Sequence, residues 1–206
     1  MSARPERSAS KPLGGLAAKI LAVHELLDSL EVEHQFGGAI ALAWYRSPRA
    51  TADIDLNVSL QPSMASRLLD VLESLGVSVT TADRAAVERD GQVRLDWDGS
   101  YLDLFFATVA FHDAIARRAR LVDFGSASIP VMAPEHLVAC KAIFDRPKDW
   151  VDIDAMLEWG TEIDSAEALR WVEEILGTGS DIALRLRARL GDRLAAGSSG
   201  GAAGSD

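Results

Sequence analysis

Apolar residues recur at helical spacing from Leu16 to Leu30, where Leu16, Ile20, Val23, Leu27 and Leu30 share one side. Val32–Phe36 is short and suits a strand running into Gly37-Gly38. Ala39–Tyr45 predicts a helix, broken by Ser47-Pro48 because the residue before proline avoids the helical region. Ala52–Val58 then alternates. Ile54, Leu56 and Val58 fall on one side and Asp53, Asp55 and Asn57 on the other, the period of a strand with one buried face and one wet or functional face. Pro62 opens a helix through Leu75 that Gly76 stops, and Val77–Val79 reads as a short strand. Val93–Trp97 and Tyr101–Ala107 flank Asp98-Gly99, a strong two-residue hairpin signal. Phe111–Arg118 predicts a helix, and Leu121–Phe124 and Ala127–Val131 two strands around Gly125. From Ala133 onward the period is helical only, over Pro134–Phe144, Trp150–Trp159, Ser165–Leu176 and Ile182–Leu194.

The pattern therefore predicts an α+β unit over residues 14–132 and a helical region over 133–194, packed together with a cleft between them. Residues 1–13 and the Gly/Ser/Ala-rich 195–206 are expected to be disordered. A chain of 206 residues can bury roughly 70% of its unfolded surface without a disulfide or zinc staple. The lone cysteine, Cys140, excludes a disulfide framework and a CxxC metal knuckle. With no apolar run of membrane length, a soluble, cytoplasmic protein with no membrane partner is expected. The formal net charge of −10 argues against a general nucleic-acid coat. It leaves room for local basic strips at Arg46 and Arg49, at Arg117, Arg118 and Arg120, and at Lys141, Arg146 and Lys148.

Candidate chemistry gathers in Phe36–Leu56. Backbone N–H groups must approach a bound phosphate closely, which favours glycine, and a helix starting directly afterwards adds a positive dipole end. Gly37-Gly38 fits both demands, although a plain turn has the same appearance. Asp53 and Asp55 change the weighting, since residues i and i+2 of a strand point the same way. Two carboxylates about 4 Å apart repel by about 4 kcal/mol at an effective dielectric of 20. A cation bridging them removes that cost, and Mg²⁺ prefers such oxygen ligands. A third carboxylate is expected on a neighbouring strand. Asp103 is the polar residue in the otherwise apolar or aromatic YLDLFFA run and needs a partner, for which a metal shared with Asp53 and Asp55 would serve. Asp96 and Asp98 read as turn residues. His24, His34, His112 and His136 show no metal-ligand spacing, and the tryptophans read as core.

Gly-Gly, a helix, TADID and a later strand aspartate resemble the nucleotidyltransferase superfold. The downstream PEHLVACKAIFDRPKDWVDIDAML resembles the closing motif of AbiEii/MenT-type nucleotidyltransferases, the toxin halves of toxin–antitoxin pairs. The resemblance implies a polymerase-beta-like palm with a mixed sheet flanked by helices, followed by a C-terminal helical region. It implies that Gly37 and Gly38 hold nucleotide phosphates, that Asp53, Asp55 and Asp103 bind Mg²⁺, and that Asp103 assists deprotonation of the attacking hydroxyl. Lys141 would contact the triphosphate from the helical half. Asp152, or alternatively Asp149, would be the late acidic residue of the motif. Arg49 and Arg46 would be auxiliary phosphate contacts, and Thr51 a hydroxyl beside the metal site and a candidate for regulatory phosphorylation. Gly-Gly stands where many relatives have Gly-Ser, which removes one hydroxyl from the phosphate turn. The implied reaction moves a nucleoside monophosphate from an NTP to an acceptor hydroxyl, a tRNA 3′ end in the MenT-like case, with a cognate antitoxin as partner. Transfer to a small-molecule hydroxyl of antibiotic type is the alternative, and a non-catalytic partner-binding module is a third reading that the intact aspartate set disfavours.

Overall fold

The computed structural model describes residues 15–199. Six strands form one mixed sheet, in the order β3-β4-β2-β1-β6-β5. They are β1 (His34–Phe36), β2 (Asp53–Val58), β3 (Gln92–Trp97), β4 (Ser100–Phe106), β5 (Arg120–Phe124) and β6 (Ala127–Val131). Strand β2 runs parallel to β4 and antiparallel to β1, while β1 runs parallel to β6. The β3–β4 and β5–β6 pairs are hairpins, and Asp98 (φ 46°) and Gly99 (φ +75°) make the tight turn of the first. Both lie in the left-handed region that a two-residue hairpin of matching twist requires. The mixed sheet, flanking helices and helical C-terminal region agree with the expected α+β class.

The helices are α1 (Leu16–Ser29), α2 (Gly38–Leu42), α3 (Ser66–Ser74), α4 (Thr81–Asp90), α5 (Ala110–Arg117), α6 (Pro134–Phe144), α7 (Pro147–Glu158), α8 (Ser165–Leu176) and α9 (Asp181–Ser199). The backbone of α9 breaks at Gly191. One apolar core runs from Ile20 on α1 through the central strands to Leu190 on α9, so the helical region shares its core with the sheet. No helix among the described residues is long and apolar enough to cross a membrane.

Several local expectations change. The helix after Gly37 is shorter than Ala39–Tyr45, ending at Leu42 before a turn through Tyr45. The Pro62 helix begins as one 3-10 turn, Pro62–Met64, and becomes α-helical from Ser66. Val77–Val79 contributes one bridge, Ser78 to Asp96, rather than a strand. Helix α4 was not anticipated, because its sequence TADRAAVERD buries Val87 alone and so lacks an apolar stripe. Its start is nonetheless encoded: Thr80 and Asp83 form a reciprocal capping box. Asn57 does not lie on a wet face. It is fully buried, donating to Gln35 at 2.7 Å and meeting His112 Nδ1 at 2.5 Å. The disorder expected for 1–13 and 200–206 lies outside the described residues, while 195–199 continue α9.

Candidate active site

Alternation along β2 places Asp53 and Asp55 on one face, and the parallel register sets Asp103 of β4 directly beside Asp55. Gly37 closes the row from the other side, its N–H donating to the Asp55 carbonyl at 2.8 Å. That bond ties the glycine turn to β2 and commits the Gly37 N–H to the fold. Gly38 adopts φ +51°, and a side chain there would put its Cβ 1.8 Å from Asp55 Oδ2. Glycine at 38 is therefore required twice, by its backbone angle and by its approach to the carboxylate. Gly37 is under less pressure: a Cβ would meet Met132 Cε at 3.0 Å, the flexible end of a thioether.

Burial pushes the Asp55 carboxyl up to about 6, and the neighbouring Asp103 and Asp53 charges push in the same direction. This is the signature of a carboxylate short of positive charge. Thr51 supports the segment, its Oγ1 accepting from the Asp53 N–H at 3.1 Å. The three aspartates, Gly38, Arg49 and Thr51 line a cleft of about 390 Å³. Arg146 and Lys148 contribute cationic wall from the start of the helical region, and Asp83 and Asp90 of α4 add an acidic rim.

Asp103 has a partner that the sequence reading missed. Arg94 grips it with two hydrogen bonds, Nε to Oδ1 at 2.7 Å and Nη2 to Oδ2 at 2.6 Å, and reaches within 3.8 Å of Asp53. The sequence points to a metal shared with Asp53 and Asp55 as the partner of Asp103, and the fold itself supplies Arg94. The signal was present: a two-residue turn at Asp98-Gly99 pairs Trp97 with Ser100, and counting back pairs Arg94 with Asp103 on the same face. The Arg94 guanidinium also lies 5.1 Å from the Tyr101 ring.

Lys141 is buried beside the carboxylate row. It is 4% exposed and lines a small pocket with Gly38 and Asp55, donating to Asp152 Oδ2 at 2.7 Å and sitting 3.5 Å from Asp149. Asp152 collects three cations, since Arg49 Nη2 is 3.1 Å and Arg46 Nη2 3.5 Å from it. Burial would raise the Asp152 carboxyl, but hydrogen bonds from Lys141 and Arg49 outweigh it and hold the group below its usual range. Asp149 in turn binds Arg146 Nε at 2.5 Å. The basic and acidic run therefore forms one network with buried carboxylates at its centre, joining α6 and α7 to the loop before β2 and orienting Arg49 and Arg146 along the cleft wall. Arg118 is no free basic strip either; it pairs with Glu135 and Asp164 at 3.2 Å each.

A palm-like mixed sheet with a carboxylate row against a Gly-Gly turn defines the nucleotidyltransferase class of enzymes. The chain belongs to the family described as nucleotidyl transferase AbiEii toxin, type IV TA system, whose model matches residues 28–195. A search of curated proteins returns no significant match. Among solved structures the chain is similar to an antigenic nucleotidyltransferase-like protein from Paracoccidioides brasiliensis, at 16% identity and TM-score 0.52 over 89% of this chain and 90% of that one. It is also similar to the antibiotic-resistance factor ANT(2'')-Ia, at 16% identity and TM-score 0.50 over 89% of this chain and 95% of that one. At such identities the likeness is one of fold.

Proposed function

We propose that the enzyme transfers a nucleoside monophosphate from an NTP to an acceptor hydroxyl, most directly the 3′ end of a tRNA, as the toxin of a toxin–antitoxin pair. The observation that carries the reaction is the row Gly38, Asp55, Asp103 with Asp53 on the same face, in a cleft whose opposite wall is cationic. The donor set has the chemistry of a divalent-ion site: three carboxylates share one face of the cleft and Asp55 is short of positive charge, while both Asp103 oxygens are held by Arg94 and would turn from it to an ion. Asp53, Asp55 and Asp103 would hold Mg²⁺, which when bound would neutralise phosphate charge and orient the triphosphate.

The chain's own residues do the rest. Gly38 lets the backbone approach the phosphates beside Asp55. Arg49, Arg146 and Lys148 hold the β and γ phosphates against the helical side of the cleft. The acceptor oxygen attacks the α-phosphorus, the bond to the bridging oxygen breaks, and pyrophosphate leaves. Asp103 takes the hydroxyl proton, and Arg94 fixes the orientation of that carboxylate. Positioning and charge balance supply most of the acceleration in such transfers.

A second reading has its own support. Asp83 and Asp90 line the cleft mouth, and the chain carries a net charge of −10. Both suit a small cationic hydroxyl acceptor of the antibiotic type better than a polyanion. Incubation with each labelled NTP, Mg²⁺ and either total tRNA or an aminoglycoside panel separates the two. Label in tRNA that disappears in Asp53→Ala supports the first reading; label only in the small molecule replaces it. The tRNA reading also requires binding that weakens steeply with salt. Thr51 is the proposed point of control. A phosphate there would add about −1.5 to −2 charge beside Asp53, so Thr51→Glu should abolish transfer, and full activity in that variant would rule this route out.

A further inference from the structure

On the α1–β1 connection, away from the cleft residues, two imidazoles and a carboxylate converge. His24 and Asp28 are one helical turn apart on α1, and His34 begins β1. His24 Nδ1 and His34 Nε2 are 2.9 Å apart, and Asp28 Oδ2 is 3.6 Å from His24 Nε2. Among the described residues, these three are the group of His, Cys, Asp or Glu side chains that can each offer a ligand atom with all such atoms within 4.8 Å of one another.

Three features go beyond proximity. His34 Nδ1 lies 2.9 Å from the Val32 carbonyl, which can only accept, so Nδ1 carries the proton and Nε2 presents its lone pair toward His24. A backbone carbonyl that fixes the tautomer and aim of a histidine is the usual support of a metal-bound imidazole. Both rings are buried, and the Phe36 ring packs edge-on against them at 5.9 and 6.5 Å, an apolar backing. Asp28 is 62% exposed, so the group has an entry path and a carboxylate free to rotate inward.

We propose that His24, Asp28 and His34 form a second cation site, selective for a borderline divalent transition metal of the zinc class, which clamps α1 to β1 just ahead of the Gly37-Gly38 turn. Imidazole nitrogen with one carboxylate suits Zn²⁺, Ni²⁺ or Cu²⁺ and not Mg²⁺. Two nitrogens bound at about 2.0–2.1 Å in tetrahedral geometry lie about 3.3–3.4 Å apart. The ring pair therefore needs to open by roughly half an ångström. His24 ligates through Nδ1, so the proton now shared with His34 relocates to His24 Nε2, giving the other neutral tautomer, and the exposed Asp28 carboxylate, now nearest Nε2, rotates toward the Nδ1 edge. Water fills the fourth position, as three protein ligands leave it open.

The test uses the full chain, free of any polyhistidine tag and stripped of metal. Zn²⁺ is titrated by calorimetry and Co²⁺ by its visible absorption, in wild type, Asp28→Asn, His34→Gln, and an Asp53→Asn/Asp55→Asn double variant that silences the cleft. One equivalent should bind in the double variant, with wild type adding whatever the cleft takes up, and that equivalent should be at least about tenfold weaker in Asp28→Asn and lost in His34→Gln. Absence of binding in wild type overturns the proposal. So does binding that the double variant abolishes, or affinity that Asp28→Asn leaves unchanged. Asp28 is exposed, so its variant keeps the test decisive even if His34→Gln fails to fold. Nucleotidyl transfer should be unaffected by Asp28→Asn, which separates this site from the reading of the cleft.

Discussion

Replacing Gly38 by alanine should separate the fold from the chemistry. The new Cβ would lie 1.8 Å from Asp55 Oδ2, whereas contacts below 3.0 Å are not tolerated. The carboxylate must therefore retreat by about 1.2 Å, the difference between those distances. A left-handed angle at a non-glycine residue costs about 1–2 kcal/mol, partly offset by the roughly 0.4–1 kcal/mol that alanine gains by restricting the unfolded chain. The net loss of stability is about 1 kcal/mol, a fall of about 2–4 °C in Tm for a chain of this size. A displacement of about 1 Å in a catalytic group costs about 100-fold in rate. Labelled-NTP transfer at saturating substrate, measured beside thermal unfolding, should show that disproportion. Gly37→Ala supplies the control: its backbone angle suits alanine and its nearest neighbour is the movable Met132 thioether, so activity should stay within a few-fold of wild type. Equal activity in Gly38→Ala and wild type, or equal losses at 37 and 38, would refute the assignment of Asp55 as the carboxylate pressed against the turn.

Lys141→Met should lower stability by about 1.5–3 kcal/mol, because it removes a buried charged hydrogen bond to Asp152 while Arg49 and Arg146 stay on the two carboxylates; denaturant unfolding that shifts by less than 1 kcal/mol would contradict the network. Without divalent ions, Asp55 should make stability fall as pH rises. The folded carboxyl keeps its proton up to about 6 and the unfolded one releases it near 3.8, so the folded state binds more protons between those values. The contribution is full below about pH 4 and declines by about 3 kcal/mol at most through pH 6. Asp55→Asn should flatten that slope in chelator-treated protein, and parallel curves would speak against it. Arg94→Gln frees Asp103 from a competing cation and should tighten Mn²⁺ binding in the cleft several-fold by direct titration, with little change in unfolding midpoint. Weaker binding would instead make Arg94 part of the ion's support.

Much of this molecule is legible along the chain. The i, i+2 spacing puts Asp53 and Asp55 on one face, the Asp98-Gly99 turn fixes the β3–β4 register, and helical periodicity marks α1, α6 and α8, because each depends on interactions within a few residues. Where the local signal is weak the reading fails: α4 has a capping box but no apolar stripe, and Asn57 looks solvent-facing until α5 brings His112 over it. Side-chain partnership is decided by the tertiary structure. Sequence alone could identify Lys141 as a cation near a triphosphate, but only the packing of α6 on α7 shows it buried between Asp149 and Asp152, leaving Arg49, Arg146 and Lys148 to line the cleft. The same holds for Arg94 on Asp103 and for His24 against His34: the residues were visible in the sequence, but a charge or a lone pair acquires its role from whatever the fold places within about 3 Å of it.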